Sequence, residues 1–205
     1  MTAAEASDRE LILASSSLAR RELLARAGLS FEVVPPSVDE GEVKRSLLAE
    51  GAGATQAAES LAELKARSVS HKRRAALVIG ADQLLECEGQ WFDKPADRAA
   101  ALKQLESLSG KRHSLHTSIC LVCDQERLWH HNVVVHLTMR PLTESFLESY
   151  LDAAGEGILA TVGAYQLEGL GAQLFHKVEG DFFSVLGLPL LPLLEVLRAQ
   201  GVLPR

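Results

Sequence analysis

The 205-residue chain has little of what several protein classes require. No apolar run reaches the ~18 residues of a membrane span, and the acidic, polar start over residues 1–10 is unlike a signal or transit peptide. The net charge of −6 argues against a surface that coats nucleic acid. No G-x-x-x-x-G-K-[ST] loop is present, which argues against a phosphoryl or nucleotidyl transferase built on that loop. We expect a cytoplasmic protein that binds neither membrane nor nucleic acid.

Cysteine and histidine are too few and too scattered to indicate a metal or redox centre. Cys120 and Cys123 have C-x-x-C spacing, but they fall in a predicted strand, which directs their side chains to opposite faces. With three cysteines in the chain, no second pair completes a zinc site. His130 and His131 are predicted to interrupt a strand at the surface. We expect the cysteines to pack in the core.

Alternating helix and strand patterns predict an α/β fold with a partly antiparallel sheet. The length suits one domain, or one domain with two lobes. Residues 42–74 are predicted to be largely helical, after a loop at residues 38–40. Residues 77–80 read as a short apolar strand, and the glycine-rich residues 164–178 as an extended segment.

The first candidate site is an anion site where an early strand turns into a helix. Residues 11–14 are apolar, Ser17 is a natural N-cap and Gly28 a natural stop. The first helical turn holds Arg20 and Arg21, and each cation there costs from a few tenths to ~1 kcal/mol against the helix dipole. A bound phosphate beside the helix N–H groups would explain them. A solvated arginine pair next to an ordinary serine cap is the alternative.

A second candidate feature is Asp82, which follows the apolar strand. A carboxylate there loses water, which is costly without a cation or metal partner, and functional carboxylates often lie at strand ends. A turn-forming aspartate is the alternative. Glu40 and Asp181 are candidates for a further carboxylate, because Mg²⁺ needs only one or two besides phosphates and water. Taken alone, Lys65 and Lys94 read as solvated lysines.

Short motifs follow one another in a fixed order over about residues 11–200. They are Leu11-Ile-Leu-Ala-Ser-Ser-Ser17 with Arg20, Val38-Asp-Glu40, Lys65-Ala66, Val78-Ile-Gly-Ala-Asp82, Lys94-Pro95, Leu108-Ser-Gly110 with His113, Gly163-Ala-Tyr165, Glu168-Gly169, Gly180-Asp181 and Val185-Leu-Gly-Leu-Pro189. In this order they resemble the Maf family of nucleoside-triphosphate pyrophosphatases. The resemblance implies one Maf-like domain over residues 1–205, with a Maf/ITPase-like elongated mixed sheet, flanking helices and two lobes around a central cleft.

The resemblance also implies a reaction and roles for individual residues. A nucleoside triphosphate would be hydrolysed to the monophosphate and pyrophosphate with Mg²⁺ or Mn²⁺, by a protein that is a homodimer. Asp82 would be the general base. Glu40 and Asp82 would hold the metal. The triphosphate would be bound by Ser15, Ser17, Arg20, Lys65 and Lys94.

Three positions bear on the choice of base. Gln83 and Glu168 replace the Thr and Gln of the pyrimidine-preferring subgroup and resemble the subgroup that acts on 7-methyl-GTP. Leu18-Ala19 departs from the family's usual Pro followed by Arg or Trp, so Ala19 removes an expected wall of the pocket. The alternatives are a dTTP/UTP pyrophosphatase of the same family, or a regulatory binding protein linked to septum formation and cell-division arrest. Asp82, with Lys65 and Lys94, favours catalysis over binding alone.

Overall fold

The computed structural model describes residues 9–204. Residues 1–8, which make up most of the acidic start, lie outside the described residues. The strands are β1 (Leu11–Ala14), β2 (Glu32–Val33), β3 (Leu77–Cys87), β4 (Gln90–Phe92), β5 (Arg112–Cys123), β6 (Glu126–Met139) and β7 (Phe175–Glu179). The helices are α1 (Leu18–Arg26), α2 (Glu40–Ala49), α3 (Ala54–Ser70), α4 (Arg98–Leu108), α5 (Glu144–Ala154), α6 (Phe182–Val185) and α7 (Leu190–Ala199).

The strands form a mixed seven-stranded sheet in the order β2-β1-β3-β5-β6-β7, with β4 paired to β3. Strand β1 runs parallel to β2 and to β3, whereas β4 is antiparallel to β3 and β7 to β6. The predicted α/β class with a partly antiparallel sheet is confirmed. Its elongation and a central cleft stay predictions. Between residues 9 and 204, no helix is both long and apolar enough to cross a membrane.

The chain divides into two compact units. Among the described residues, the first unit contains 9–83, 117–133 and 187–204, and the second contains 84–116 and 134–186. In the first unit, α3 packs on the sheet through a buried cluster that includes Ala62, Ala66, Val78 and Cys120. Cys120 is 1% exposed and is a core residue as predicted, and its burial raises the pKa of the thiol to about 12. Cys123 is only partly buried.

The region between β2 and β3 differs from the single helix predicted for residues 42–74. It forms α2 and α3, because Gly51 adopts a left-handed conformation (φ +76°) that ends the first helix. The predicted loop at residues 38–40 is also wrong at its end, since Glu40 begins α2. Asp39 caps this helix by accepting a hydrogen bond from the Glu42 N–H at 2.9 Å. Asp39 and Glu42 have the spacing of a capping box, which was the available signal.

Three further predictions need correction. Asp82 lies in the middle of an 11-residue strand rather than after a short one, because Leu84 and Leu85 are buried and extend β3. Residues 164–178 are extended only from Phe175. Before that, one 3₁₀ turn (Val162–Ala164) ends at the first of these residues and a second spans Leu170–Leu174. His130 and His131 lie within β6 without interrupting it, since the ladder depends on backbone groups.

Candidate active site

Arg20 lies in the first turn of α1, and its side chain is buried against main-chain carbonyls. The predicted cap is present, because the Arg20 N–H donates to Ser17 Oγ at 3.4 Å. The guanidinium donates from Nε to the Gly187 carbonyl at 2.8 Å and from Nη1 to the Ala81 carbonyl at 2.9 Å. Nη1 also donates to Ser15 Oγ at 3.3 Å. Hydrogen bonds within the protein therefore fix the position of this guanidinium.

The charge of Arg20 has no carboxylate in direct contact. The residue is 8% exposed, and no ion pair joins it to an acidic residue of the described chain. Burial lowers its pKa, while the more distant charges of Asp82 and Glu40 raise it. Nη2 makes no hydrogen bond within residues 9–204, so its N–H donors remain available to a ligand. A buried cation without a contacting counter-charge is costly, and an anion beside it would offset that cost.

Lys65 of α3 contacts both of the carboxylates that the resemblance implies as metal ligands. Its Nζ donates to Asp82 Oδ1 at 2.6 Å and lies 2.8 Å from Glu40 Oε1. The side chains of Lys65 and Asp82 are about as buried as the core, whereas that of Glu40 is 46% exposed. The structure thus places Lys65, Asp82 and Glu40 in one contact group in the first unit, with the charge of Arg20 acting on both carboxylates.

A close approach of α3 to β3 at Gly80 positions this group. A Cβ atom at Gly80 would lie 2.1 Å from the carbonyl oxygen of Ala62 and 2.7 Å from Ala66 Cβ. Asp82 is two residues further along the same strand and faces the same helix. Lys65 is three residues after Ala62, on the same side of α3. Sequence reasoning missed the role of Gly80, although a glycine inside an apolar strand indicates a close backbone approach.

Gln83 points to the other face of β3, because successive strand residues alternate. There its Nε2 donates to Thr117 Oγ1 of β5 at 2.8 Å, which fixes the orientation of the amide. Thr117 is buried, and sequence reasoning missed it. The side chains of Asp82 and Gln83 therefore lie on opposite faces of β3 and would not contact the same part of a nucleotide. A base-reading role for Gln83 stays a prediction.

The remaining predicted residues are spread over both units. Ala19 is half-buried at the second position of α1, and Arg21 is exposed beside it. Lys94 and Glu168 are exposed residues of the second unit, so their part in the same site stays a prediction. Asp181 caps α6, where its Oδ2 accepts hydrogen bonds from the N–H and the hydroxyl of Ser184.

The donor set at Asp82 and Glu40 fits a hard divalent cation. Asp82 Oδ2 is buried and accepts no hydrogen bond from the described residues, which is costly unless a ligand uses it. Within residues 9–204, no group of three or more His, Cys, Asp or Glu side chains is arranged to hold a metal ion. Two carboxylates suffice for Mg²⁺ when phosphate and water complete its coordination. The residues fit a cation of that kind.

The family follows from comparison with known sequences. The model of the family described as Maf-like protein matches residues 10–200. This chain belongs to the Maf family. The assignment made from the ordered motifs is therefore confirmed.

Named relatives agree with this assignment. The chain is 54% identical over 192 residues to a nucleoside triphosphate pyrophosphatase of Paramagnetospirillum magneticum, covering 94% of this chain and 99% of that protein. It is 53% identical over 192 residues to a protein of the same name from Hyphomonas neptunium, covering 94% and 96%. It is 46% identical over 193 residues to a 7-methyl-GTP pyrophosphatase of Rhizobium meliloti, covering 94% and 97%.

Proposed function

We propose that this Maf-family enzyme, a nucleoside triphosphate pyrophosphatase, requires Mg²⁺ or Mn²⁺ and acts on a modified nucleotide such as 7-methyl-GTP. The observation that carries the catalytic part is the buried Lys65–Asp82 contact, in which one carboxylate oxygen is held and the other is unbonded. The relative named 7-methyl-GTP pyrophosphatase supports the choice of substrate.

Asp82 is the general base in this proposal. Lys65 holds Oδ1 and offsets the carboxylate charge, while Oδ2 is left to accept a proton from the attacking water. Water attacks the α-phosphorus, the bond to the bridging oxygen breaks, and pyrophosphate leaves. The monophosphate keeps the oxygen of the attacking water.

Arg20 binds the triphosphate through the donors on Nη2, held in place by its two carbonyl contacts. Ser15 and Ser17 lie in the same turn, and their hydroxyls can donate to phosphate oxygens while accepting the bonds described above. The nine-residue helix α1 begins there and adds its N-terminal dipole. Lys94 completes this cation set in the proposal.

Asp82 and Glu40 hold the divalent cation. When bound, the cation neutralises charge on the phosphates and on the pyrophosphate leaving group. Glu40 is suited to this role because its side chain is 46% exposed and contacts Lys65 through Oε1.

Glu168 reads the base. A carboxylate accepts hydrogen bonds from the N1–H and the amino group of guanine, and it favours a ring that carries the positive charge of methylation. Glu168 is exposed, so discrimination arises when the bound base displaces its water. A pyrimidine that presents an acceptor leaves the carboxylate unpaired, which costs ~1–3 kcal/mol and corresponds to roughly 5- to 150-fold in kcat/KM.

A nucleotide panel with Mg²⁺ or Mn²⁺, assayed separately for pyrophosphate and orthophosphate, tests the proposal. We expect pyrophosphate as the primary product, no turnover in excess chelator, and higher kcat/KM for 7-methyl-GTP than for dTTP or UTP. Glu168→Gln should narrow or invert this preference. Glu156→Gln, at another exposed glutamate of the second unit, is the matched control.

The possible failures of this experiment are distinct. A preference for dTTP or UTP would contradict the substrate proposal and leave the reaction intact. Full activity in chelator would contradict the metal requirement. Primary release of orthophosphate would contradict the reaction itself. Nucleotide binding without turnover of any substrate would favour the regulatory binding protein.

A further inference from the structure

The turn at residues 163–165 of the second unit is strongly constrained. Gly163 (φ +79°) and Ala164 (φ +56°) are both left-handed, a conformation that is uncommon for alanine and costs it ~1–2 kcal/mol. A Cβ atom at Gly163 would lie 2.7 Å from Leu85 Cδ1 and 2.7 Å from Tyr165 Cε1. Such strain persists only where surrounding contacts enforce it, and it is often found at functional sites.

Two buried tyrosines enforce the turn. The Tyr150 hydroxyl donates to the Ala164 carbonyl at 3.1 Å. The Tyr165 hydroxyl lies 2.9 Å from His113 Nε2, in a hydrogen bond whose direction depends on the imidazole tautomer. The Tyr165 ring also packs edge-on against Phe175, with centroids 4.8 Å apart. The Ala164 carbonyl and the residue that follows it are therefore tied to the interior of the unit.

His113 is a buried polar group that the proposed reaction does not use. It is 1% exposed, and its ring packs against Tyr165 and Phe175. Burial lowers its pKa to about 4, so the imidazole is neutral at physiological pH. Its Nδ1 has no hydrogen-bond partner in the described chain. A phenylalanine would avoid the cost of burying the unpaired Nδ1, but it could not form the hydrogen bond to the Tyr165 hydroxyl.

The constrained turn leads directly into the segment that carries Glu168. The Gly169 N–H donates to the Gln166 carbonyl at 3.2 Å, so residues 166–169 form a tight turn. Gly171 packs against the same peptide, since a Cβ atom there would lie 2.5 Å from the Gln166 carbonyl oxygen. Burial, and after it the charge of Glu168, raise the pKa of the Tyr150 hydroxyl to about 12, so the carboxylate interacts electrostatically with the tyrosine that holds Ala164.

We propose that His113 and Tyr165 are positioning residues that hold the turn at residues 163–169 in one conformation and so place Glu168 for reading the base. The inference rests on the proposed function, in which Glu168 contacts the base. Tyr150 serves the same purpose through its hydrogen bond to Ala164. His113 and Tyr165 touch neither the substrate nor the metal, and their effect is on selectivity rather than on the chemical step.

The test uses the full-length enzyme with Tyr165→Phe, which removes the hydroxyl and keeps the ring that packs on Phe175. Hydrogen–deuterium exchange of peptides covering residues 161–170 reports the order of the turn. The ratio of kcat/KM for 7-methyl-GTP to that for UTP reports base reading. Glu168→Gln shows whether position 168 reads the base. Leu197→Val, at a buried position of α7 in the first unit, controls for a general loss of stability.

We expect Tyr165→Phe to speed exchange in residues 161–170 at least tenfold and to lower the selectivity ratio at least fivefold, with kcat for the preferred substrate within about threefold of wild type. Leu197→Val should leave both the local exchange and the ratio unchanged. If residues 161–170 of Tyr165→Phe exchanged as slowly as in the wild type, the positioning role alone would be overturned. The same would follow if Tyr165→Phe left the selectivity ratio unchanged while Glu168→Gln changed it. An unchanged ratio in Glu168→Gln would overturn the base-reading role, and the positioning role with it.

Discussion

Gly80→Ala tests whether the close packing of α3 on β3 holds Lys65 beside Asp82, the proposed general base. The added Cβ would lie 2.1 Å from the Ala62 carbonyl oxygen, about 1.3 Å inside an ordinary contact of 3.4 Å. Neither backbone can yield without moving the helix or the strand. Overpacking of this kind costs ~1–3 kcal/mol, and for a chain of this size each kcal/mol lowers Tm by ~2–4 °C. We therefore expect a Tm that is lower by roughly 2–12 °C.

The kcat of Gly80→Ala should fall even at temperatures where the variant is still fully folded. Moving α3 by about 1 Å displaces Lys65 from Asp82, and misplacement on that scale costs on the order of 10²-fold in rate. The assay is kcat for pyrophosphate release, measured well below the Tm of the variant. Gly157→Ala is the matched control, because a Cβ there meets no atom within 4 Å. If Gly80→Ala matched Gly157→Ala in both Tm and kcat, the packing argument would be refuted.

Three further predictions concern individual side chains. Asp82→Asn should lower kcat ~10²–10⁴-fold with nucleotide binding retained, since an amide cannot act as a base; activity within a few-fold of wild type would move the base elsewhere, with Glu40 the first candidate. Arg20→Lys should raise the KM for nucleotide and lower Tm, because an ammonium cannot reproduce the contacts to Gly187, Ala81 and Ser15; unchanged values would refute this. Burial lowers the pKa of His113 from 6.5 to about 4, so the folded state resists protonation and its stability should fall by ~3 kcal/mol as the pH drops from 6.5 towards 4. Urea denaturation of His113→Phe should show a shallower pH dependence over this range, and an equal slope would exclude His113 as the cause.

Much of the fold could be predicted because its signals are local. The apolar run of β1 and the Ser17 cap of α1 each depend on a few neighbouring residues, and both are present. The errors arise where distant residues decide the outcome. Strand β3 continues past Asp82 through the buried Leu84 and Leu85, and its last three residues pair with β4. The apolar pattern of residues 77–80 indicates neither.

In the candidate site, too, the chemical groups could be predicted from the sequence, whereas the distant residues that hold them could not. Sequence patterns pointed to Arg20 and Asp82, whereas Lys65 entered only through the family resemblance. The structure joins Lys65 to Asp82 directly. The partners that hold these groups could not be predicted. The Gly187 carbonyl lies 167 positions along the chain from Arg20, and a backbone oxygen leaves no mark in the sequence. Thr117 carries a side chain that only pairing between distant strands brings beside Gln83.

Hydrolysis in ¹⁸O-labelled water tests the central claim most directly. If Asp82 activates water for attack at the α-phosphorus, the label must appear in the nucleoside monophosphate and not in the pyrophosphate. Mass spectrometry of both products from 7-methyl-GTP, and from whichever triphosphate the panel shows to be hydrolysed fastest, measures this. Label found only in the monophosphate, and lost together with turnover in Asp82→Asn, is the predicted result. Label in the pyrophosphate or in released orthophosphate would contradict the account.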